Sequence, residues 1–193
     1  MSQTTAKRPV NIYMEANPNP HSMKFVANFM LVPEGTSYDF PDAESADKAM
    51  LAQQLFKLPY IRRVFFMNNF ITVTKEENID WVEIREEIKN IIIKYLESGN
   101  DLIEKPEVQE IYDESDSETV KKIKTILDEY IKPAVEQDGG AITFHSFQDG
   151  NVRVLLQGSC SGCPSSTVTL KAGIENLLKR MVPEVEMVEA IDG

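Results

Sequence analysis

Apolar residues dominate NIYMEA at 11–16 and KFVANFMLV at 24–32, on either side of the loop NPNPHS at 17–22. Pro18 and Pro20 keep that loop out of a helix and out of a central strand, so two strands flanking a turn are predicted. PEGTSYDFPDA at 33–43 reads as irregular from its Pro, Gly and Ser content. ESADKAMLAQQLFKL at 44–58 reads as a short helix in which Ala46, Met50, Leu51 and Leu55 share a face, closed by Pro59. IRRVFFMNNFITVTK at 61–75 is a hairpin pattern about Met67, Asn68 and Asn69, asparagine tolerating positive φ.

Asn78 is the predicted N-cap of a helix whose Ile84, Ile88, Ile91, Ile92 and Tyr95 fall on one face, and Gly99 fits the position just past its end. The first hundred residues therefore order as ββαββα. Residues 98–114, with GNDLIEKPEVQEIYDE, are weakly periodic and acidic and read as a linker. Ser115 with Glu118 has the spacing of a capping box, ahead of a helix with Val120, Ile123, Leu127, Tyr130 and Ile131 on its apolar face. Asp138, Gly139 and Gly140 reverse the chain into a hairpin, AITFHSF and VRVLLQG, closed at Asp149 and Gly150. Pro164 is tolerated as a first helical residue, and Leu170, Ile174, Leu177, Leu178 and Met181 mark the inner face of the helix it opens. VEMVEAI is a last short strand.

The predicted fold class is α+β, with two small two-layer domains. The first, ββαββα, occupies 10–97, and the second, αββαβ, occupies 115–193. The acidic linker 98–114 joins them, and each domain lays its helices on one sheet face.

The length of 193 residues and a 42% hydrophobic content fill ordinary cores. No apolar run approaches the ~20 residues of a membrane span, and the opening residues lack the apolar core of a secretory signal and the Arg and Ser richness of a transit peptide. The expected compartment is the cytoplasm, with reduced thiols and no membrane partner. A net charge of −11 argues against a nucleic-acid partner, which needs a basic stripe.

The candidate chemistry lies in QGSCSGCPSS, where Cys160 and Cys163 are the only two cysteines. They fall between the end of a strand and the start of a helix, in a turn expected to be exposed with both thiols pointing outward. The first N–H groups and the dipole of the helix favour negative charge there, and Gly158 and Gly162 let backbone approach whatever the sulfurs hold. Four readings compete. Two buried small apolar side chains fit poorly with neighbours that are Gly, Ser and Pro. A thioredoxin-like redox pair sits at such a junction, but only 12 residues follow Met181, too few for the rest of that fold.

A structural zinc needs four ligands. His21 lies in the other domain's loop. His145, placed opposite Val154 by a two-residue turn, is some 20 Å of strand away from Cys160, and reads as an ordinary strand histidine. The fourth reading is a four-thiolate site completed by two subunits across a twofold axis, which suits an iron–sulfur cluster or a shared zinc.

Residues 127–191, from LDEYIKPAVEQDGG through CSGCPSSTVTLK to VEMVEAI, closely resemble the NifU C-terminal, or Nfu, domain. Residues 10–97, with NPNPHSMKF and VFFMNNFITVTKEENIDW, resemble the domain that precedes it in Nfu-type proteins. The resemblance implies an iron–sulfur cluster scaffold or carrier that is not an enzyme. It would hold a 4Fe–4S cluster, with 2Fe–2S the second candidate, between two protomers of a homodimer. The family's ligand cysteines fall on Cys160 and Cys163, while Gly139, Gly140 and the start of the last helix match as shape. The cysteine-bearing extra domains of longer NifU proteins have no counterpart, which tilts the implied role from primary scaffold to late carrier. Its partners would be an upstream assembly scaffold as donor and apo iron–sulfur proteins as acceptors, whose thiolates replace Cys160 and Cys163 one at a time. Ser159, Ser161 and Ser165 can lend hydrogen bonds to sulfur. The first domain, which carries no candidate ligand, is assigned to partner selection.

Overall fold

The structure, a computed structural model, describes residues 9–103, 116–161 and 164–192, with side chains at 164–167 and 192 outside that description. The capping serine expected at 115 and most of the expected linker lie outside the described residues. Contacts divide the chain into two compact units, 1–15 with 24–107, and 16–23 with 108–193. Among the described residues no helix is long and apolar enough to cross a membrane.

The first unit carries strands β1 (Ile12–Ala16), β2 (Ser22–Ala27, whose first residues fall in the second unit), β3 (Ser37–Phe40), β4 (Ile61–Met67) and β5 (Phe70–Lys75), with helices α1 (Met50–Phe56) and α2 (Trp81–Glu97). The sheet order is β1-β2-β5-β4-β3. The observed sequence of elements is therefore βββαββα. Strand β3 lies in the stretch expected to be irregular. It forms because β4 offers an edge: Ser37 to Phe40 pair antiparallel with Met67 to Val64. Asp39 accepts from Arg63 Nε at 2.8 Å and Nη2 at 2.7 Å, and the Phe40 and Phe66 rings meet edge to face at 5.3 Å. Pro33, Gly35 and Pro41 hide the strand from any local pattern, and paired neighbours supply what propensity lacks.

Helix α1 is shorter than expected. Before it, Ser45 N donates to Asp42 Oδ1 at 2.8 Å and Ser45 Oγ to the Asp42 carbonyl at 2.7 Å, a local turn that competes with helix. Ala46, Leu51 and Leu55 are fully buried, but Met50 faces outward. Helix α2 is capped by Asp80, whose Oδ1 accepts from Val82 N, rather than by Asn78. Its Ile84, Ile88, Ile92 and Tyr95 are buried, Ile91 is half-buried, and Gly99 takes φ +75° just beyond its end. Tyr95 Oη donates to the Asp101 carbonyl at 2.7 Å and Leu102 is buried, so the start of the expected linker packs onto this unit.

The second unit opens with α3 (Glu118–Ile126), a π-helical turn (Leu127–Ile131) and α4 (Lys132–Gln137). Ser117 caps α3 by accepting from Val120 N. The wide turn ends just before Pro133, which then sits in the first turn of α4, where its missing N–H costs no helical bond. The extra residue of the wide turn shifts the helical phase, so Tyr130 is exposed while Ile123, Ile126 and Leu127 are buried. Strands β6 (Gly140–Gln148) and β7 (Asn151–Gly158) form the expected hairpin, with positive φ at Asp149 and Gly150 as a two-residue turn requires. Helix α5 (Pro164–Met181) leads to β8 (Met187–Asp192), which joins β7 in parallel. His145 does not face Val154. Phe144 does, because the register shifts between Phe144 and Ser146 and leaves His145 as the extra, exposed residue of a bulge.

Glu175 ties α5 to β8: its carboxylate accepts from Lys179 Nζ at 2.6 Å and from Val188 N at 3.0 Å. These bonds, the lysine's first, hold its pKa below the ordinary 4.5. A carboxylate depressed in the folded state stabilises above its unfolded pKa, and that contribution is lost as pH falls through the folded pKa. Glu175→Gln is expected to melt below the parent at pH 7, with the gap closing as pH falls below 4.5. A gap that stays constant in melts across that range would contradict the assignment.

Candidate functional site

The site is built on the turn that follows β7. Gly158 ends the strand with φ +66°, Ser159 and Cys160 form the turn, and α5 begins at Pro164. Ser159 N donates to the Gly139 carbonyl at 3.2 Å, Ser161 N to the Gly158 carbonyl at 3.2 Å, and Ser159 Oγ to the Asp138 carbonyl. The loop at 138–140 and the turn at 158–161 therefore brace each other across the end of the hairpin, where Gly140 pairs with Gly158.

Cys160 does not point out of the domain. It is 7% exposed and belongs to the apolar core with Val135, Leu156, Ile174 and Leu178, contrary to the expectation of an exposed turn without apolar neighbours. Two features of the tertiary structure put it there. Gly140 lacks the Cβ that would stand 2.8 Å from Cys160 Sγ and 2.7 Å from the Gln157 carbonyl oxygen, so the thiol lies against the strand. Residues 16–23, grouped with this unit, close over the turn, with Asn19 Nδ2 donating to the Ser159 carbonyl at 3.0 Å.

Ser159 Oγ lies 3.8 Å from Cys160 Sγ, at the limit for a bond to sulfur, and Ser161 is buried. Ser165 has its side chain outside the described residues, and Gly162 and Cys163 lie outside them altogether. His145 sits on the exposed bulge. His21 lies in the segment grouped with the cysteine-bearing unit, with its Nδ1 buried. Among the described residues no three His, Cys, Asp or Glu side chains gather as a metal site.

A cavity of about 410 Å³ opens beside Cys160, between Pro18 and Asn19, the α4 residues Ala134 and Val135, and Thr169 and Leu170 of α5. Asn17 and Asn19 belong to the NPNP loop, which the sequence offers as a partner contact of the first domain and not as part of the cysteine site. Their only local signal is a proline-fixed turn, because the partner of Asn19 is 140 residues away.

Fold and turn together define a two-unit α+β protein with a cysteine pair in the sequence between its second strand hairpin and its last helix. Residues 12–99 match the family model described as scaffold protein Nfu/NifU N terminal, and residues 123–189 match that of the NifU-like domain. The protein named NFU1 iron-sulfur cluster scaffold homolog, mitochondrial, of Drosophila persimilis is 40% identical over 99% of this chain and 68% of its own length. Its namesake in Drosophila grimshawi is 43% identical over 93% of this chain and 61% of its own length. A solution structure of a NifU-like protein from Saccharomyces cerevisiae is similar over 55% of this chain and 94% of that one, at 27% identity and a TM-score of 0.48. The chain belongs to the Nfu/NifU family of iron–sulfur cluster scaffold proteins.

The expectation of a cytoplasmic location is overturned, since these relatives are named as mitochondrial proteins. Import signals are addresses separate from the folded body, so composition and net charge carry no signature of compartment.

Proposed function

We propose that this chain supplies Cys160 and Cys163 as thiolate ligands to an iron–sulfur cluster, in a mitochondrial setting like that of its named relatives. Two chains complete a four-thiolate set around one 4Fe–4S cluster, which is the cargo, and pass it to apo-proteins. The observation that carries this reading is the position of Cys160 at a braced strand-to-helix turn inside the segment that matches the NifU-like domain. Thiolates are the ligands that clusters of this kind take, and two thiols per chain are half of the four required. A twofold axis through the turn supplies the other half without any further ligand type.

Release follows from ligand exchange. An acceptor thiolate forms a bond to iron as the bond from Cys160 or Cys163 breaks, and the departing thiolate takes up a proton. No oxidation state changes and no general base is required. The donor is an upstream assembly scaffold, and the first unit selects among acceptors.

The test is anaerobic reconstitution followed by iron, acid-labile sulfide and native mass. About two irons and two sulfides per chain in a dimer is the expected result, since four thiolates hold four irons. Zinc without sulfide, or a reducible disulfide without iron, would overturn the reading.

A further inference from the structure

The proposed ligand Cys160 is shut in by residues 16–23. Asn19, itself 3% exposed, donates from Nδ2 to the Ser159 carbonyl at 3.0 Å. Asn17 Nδ2 donates to the Asp138 carbonyl at 3.2 Å, the oxygen that also receives Ser159 Oγ. Both acceptors belong to the two loops that brace the Cys160 turn. Asn19 is held in place by its own turn, in which His21 N donates to Asn19 Oδ1 at 3.0 Å and Ser22 N to the Asn19 carbonyl at 3.1 Å. Pro18 and Pro20 on either side restrict φ and so keep the segment from collapsing when it is not in contact.

The same segment is poorly satisfied. Among the described residues, six buried side-chain polar atoms have no hydrogen-bond partner, and three of them, Asn17 Oδ1, His21 Nδ1 and Ser22 Oγ, lie in residues 17–22. Buried polar groups are nearly always paired, and each that is not opposes the state that buries it. Closure over Cys160 gains two side-chain hydrogen bonds, from Asn17 and Asn19, while the segment that closes holds three buried polar atoms without a partner. Such a segment sits near balance and belongs to the weakly held end of a structure.

We infer that residues 16–23 form a strap that keeps Cys160 covered in the cluster-free chain, with Asn19 as its latch, and that the strap lifts before Cys160 takes a cluster. The inference rests on the reading of Cys160 as a ligand. A cluster shared by two chains needs the thiolate at the surface of each, whereas the strapped thiol is almost wholly enclosed. Opening exposes the Ser159 and Asp138 carbonyls along with the thiol, so cluster loading and strap closure exclude one another.

Alkylation tests the strap without iron. In a full-length chain carrying Cys163→Ser, iodoacetamide reports Cys160 alone, and the rate follows the open population when opening is fast. Adding Asn19→Ala is expected to raise that rate about tenfold, the equivalent of one buried hydrogen bond. Far-ultraviolet circular dichroism checks the fold, and Asn17→Ala serves as a second variant with the same expected direction. Equal rates in the parent and both variants would overturn the strap.

Loading is then followed with both cysteines present. Faster uptake of iron and sulfide by Asn19→Ala supports the strap as a gate, and equal uptake despite faster alkylation overturns the gating. Faster alkylation in chains that take up no iron and sulfide would leave the strap standing and remove the ligand reading. Unchanged alkylation in a chain that loads normally would do the reverse.

Discussion

Cys160→Ala is expected to leave a folded chain that holds no iron–sulfur cluster. The substitution removes one sulfur atom from a core that includes Val135, Leu156 and Ile174. Cysteine in such a place packs as a small apolar side chain, so its loss costs on the order of 1 kcal/mol. The melting temperature of a domain this size then falls by roughly 4–8 °C, far from unfolding at room temperature. On the proposed two-chain site the cluster would lose far more, because both copies of the ligand would vanish from a four-thiolate set at once. Iron and sulfide are expected near zero, with circular dichroism close to that of the parent, and Cys163→Ala is expected to share the loss of cluster. Retention of full iron and sulfide by either variant would sink the ligand assignment. Alanine is a cleaner choice than serine at 160. A serine hydroxyl there would be buried in the apolar core, at about 1–3 kcal/mol for an unsatisfied group, and would confuse instability with lost ligation.

Gly140→Ala has the second largest expected effect, and it reaches the site through packing. The added Cβ would stand 2.7 Å from the Gln157 carbonyl oxygen, 2.8 Å from Cys160 Sγ and 3.3 Å from Cys160 Cβ. A side chain could swing aside, but Gln157 is part of β7 and its carbonyl oxygen is backbone, so the strand pair itself must shift. Overpacking of this kind costs about 1–3 kcal/mol. The expected results are a lower melting temperature and faster alkylation of Cys160, whose place against β6 has been taken. A variant that melts with the parent and alkylates at the parent rate would show that the close approach is not required. The glycine pair at 139 and 140 thus divides its work: Gly139 turns the chain at φ +80°, while Gly140 makes room for sulfur.

Much of the fold is legible wherever a pattern is long and its partner is near in the chain. The apolar face of α2 repeats from Ile84 to Tyr95, about three turns, and the β6–β7 hairpin is announced by Asp149 and Gly150 between two apolar-rich runs. α5 opens at the proline that its first position tolerates. Errors gather where a distant contact or a competing local bond outweighs the local signal. Strand β3 depends on Arg63 and Phe66, more than twenty residues ahead of it. The start of α1 is displaced by the Asp42 and Ser45 turn. The cap of α2 passes from Asn78 to Asp80, two acceptors that look alike in sequence and differ only in which reaches Val82 N.

The site divides in the same way. That the only two cysteines lie three positions apart between a strand and a helix can be read from the chain directly, because their chemistry and spacing are properties of one short segment. The sequence also carried the family, through motifs that run along most of the chain. The tertiary structure alone decided that Cys160 is buried, that Gly140 is the surface it lies against, and that Asn19 closes over it. Burial is a sum over neighbours brought from far along the chain. A carbonyl and an amide separated by 140 residues leave no periodic trace by which either could be foreseen.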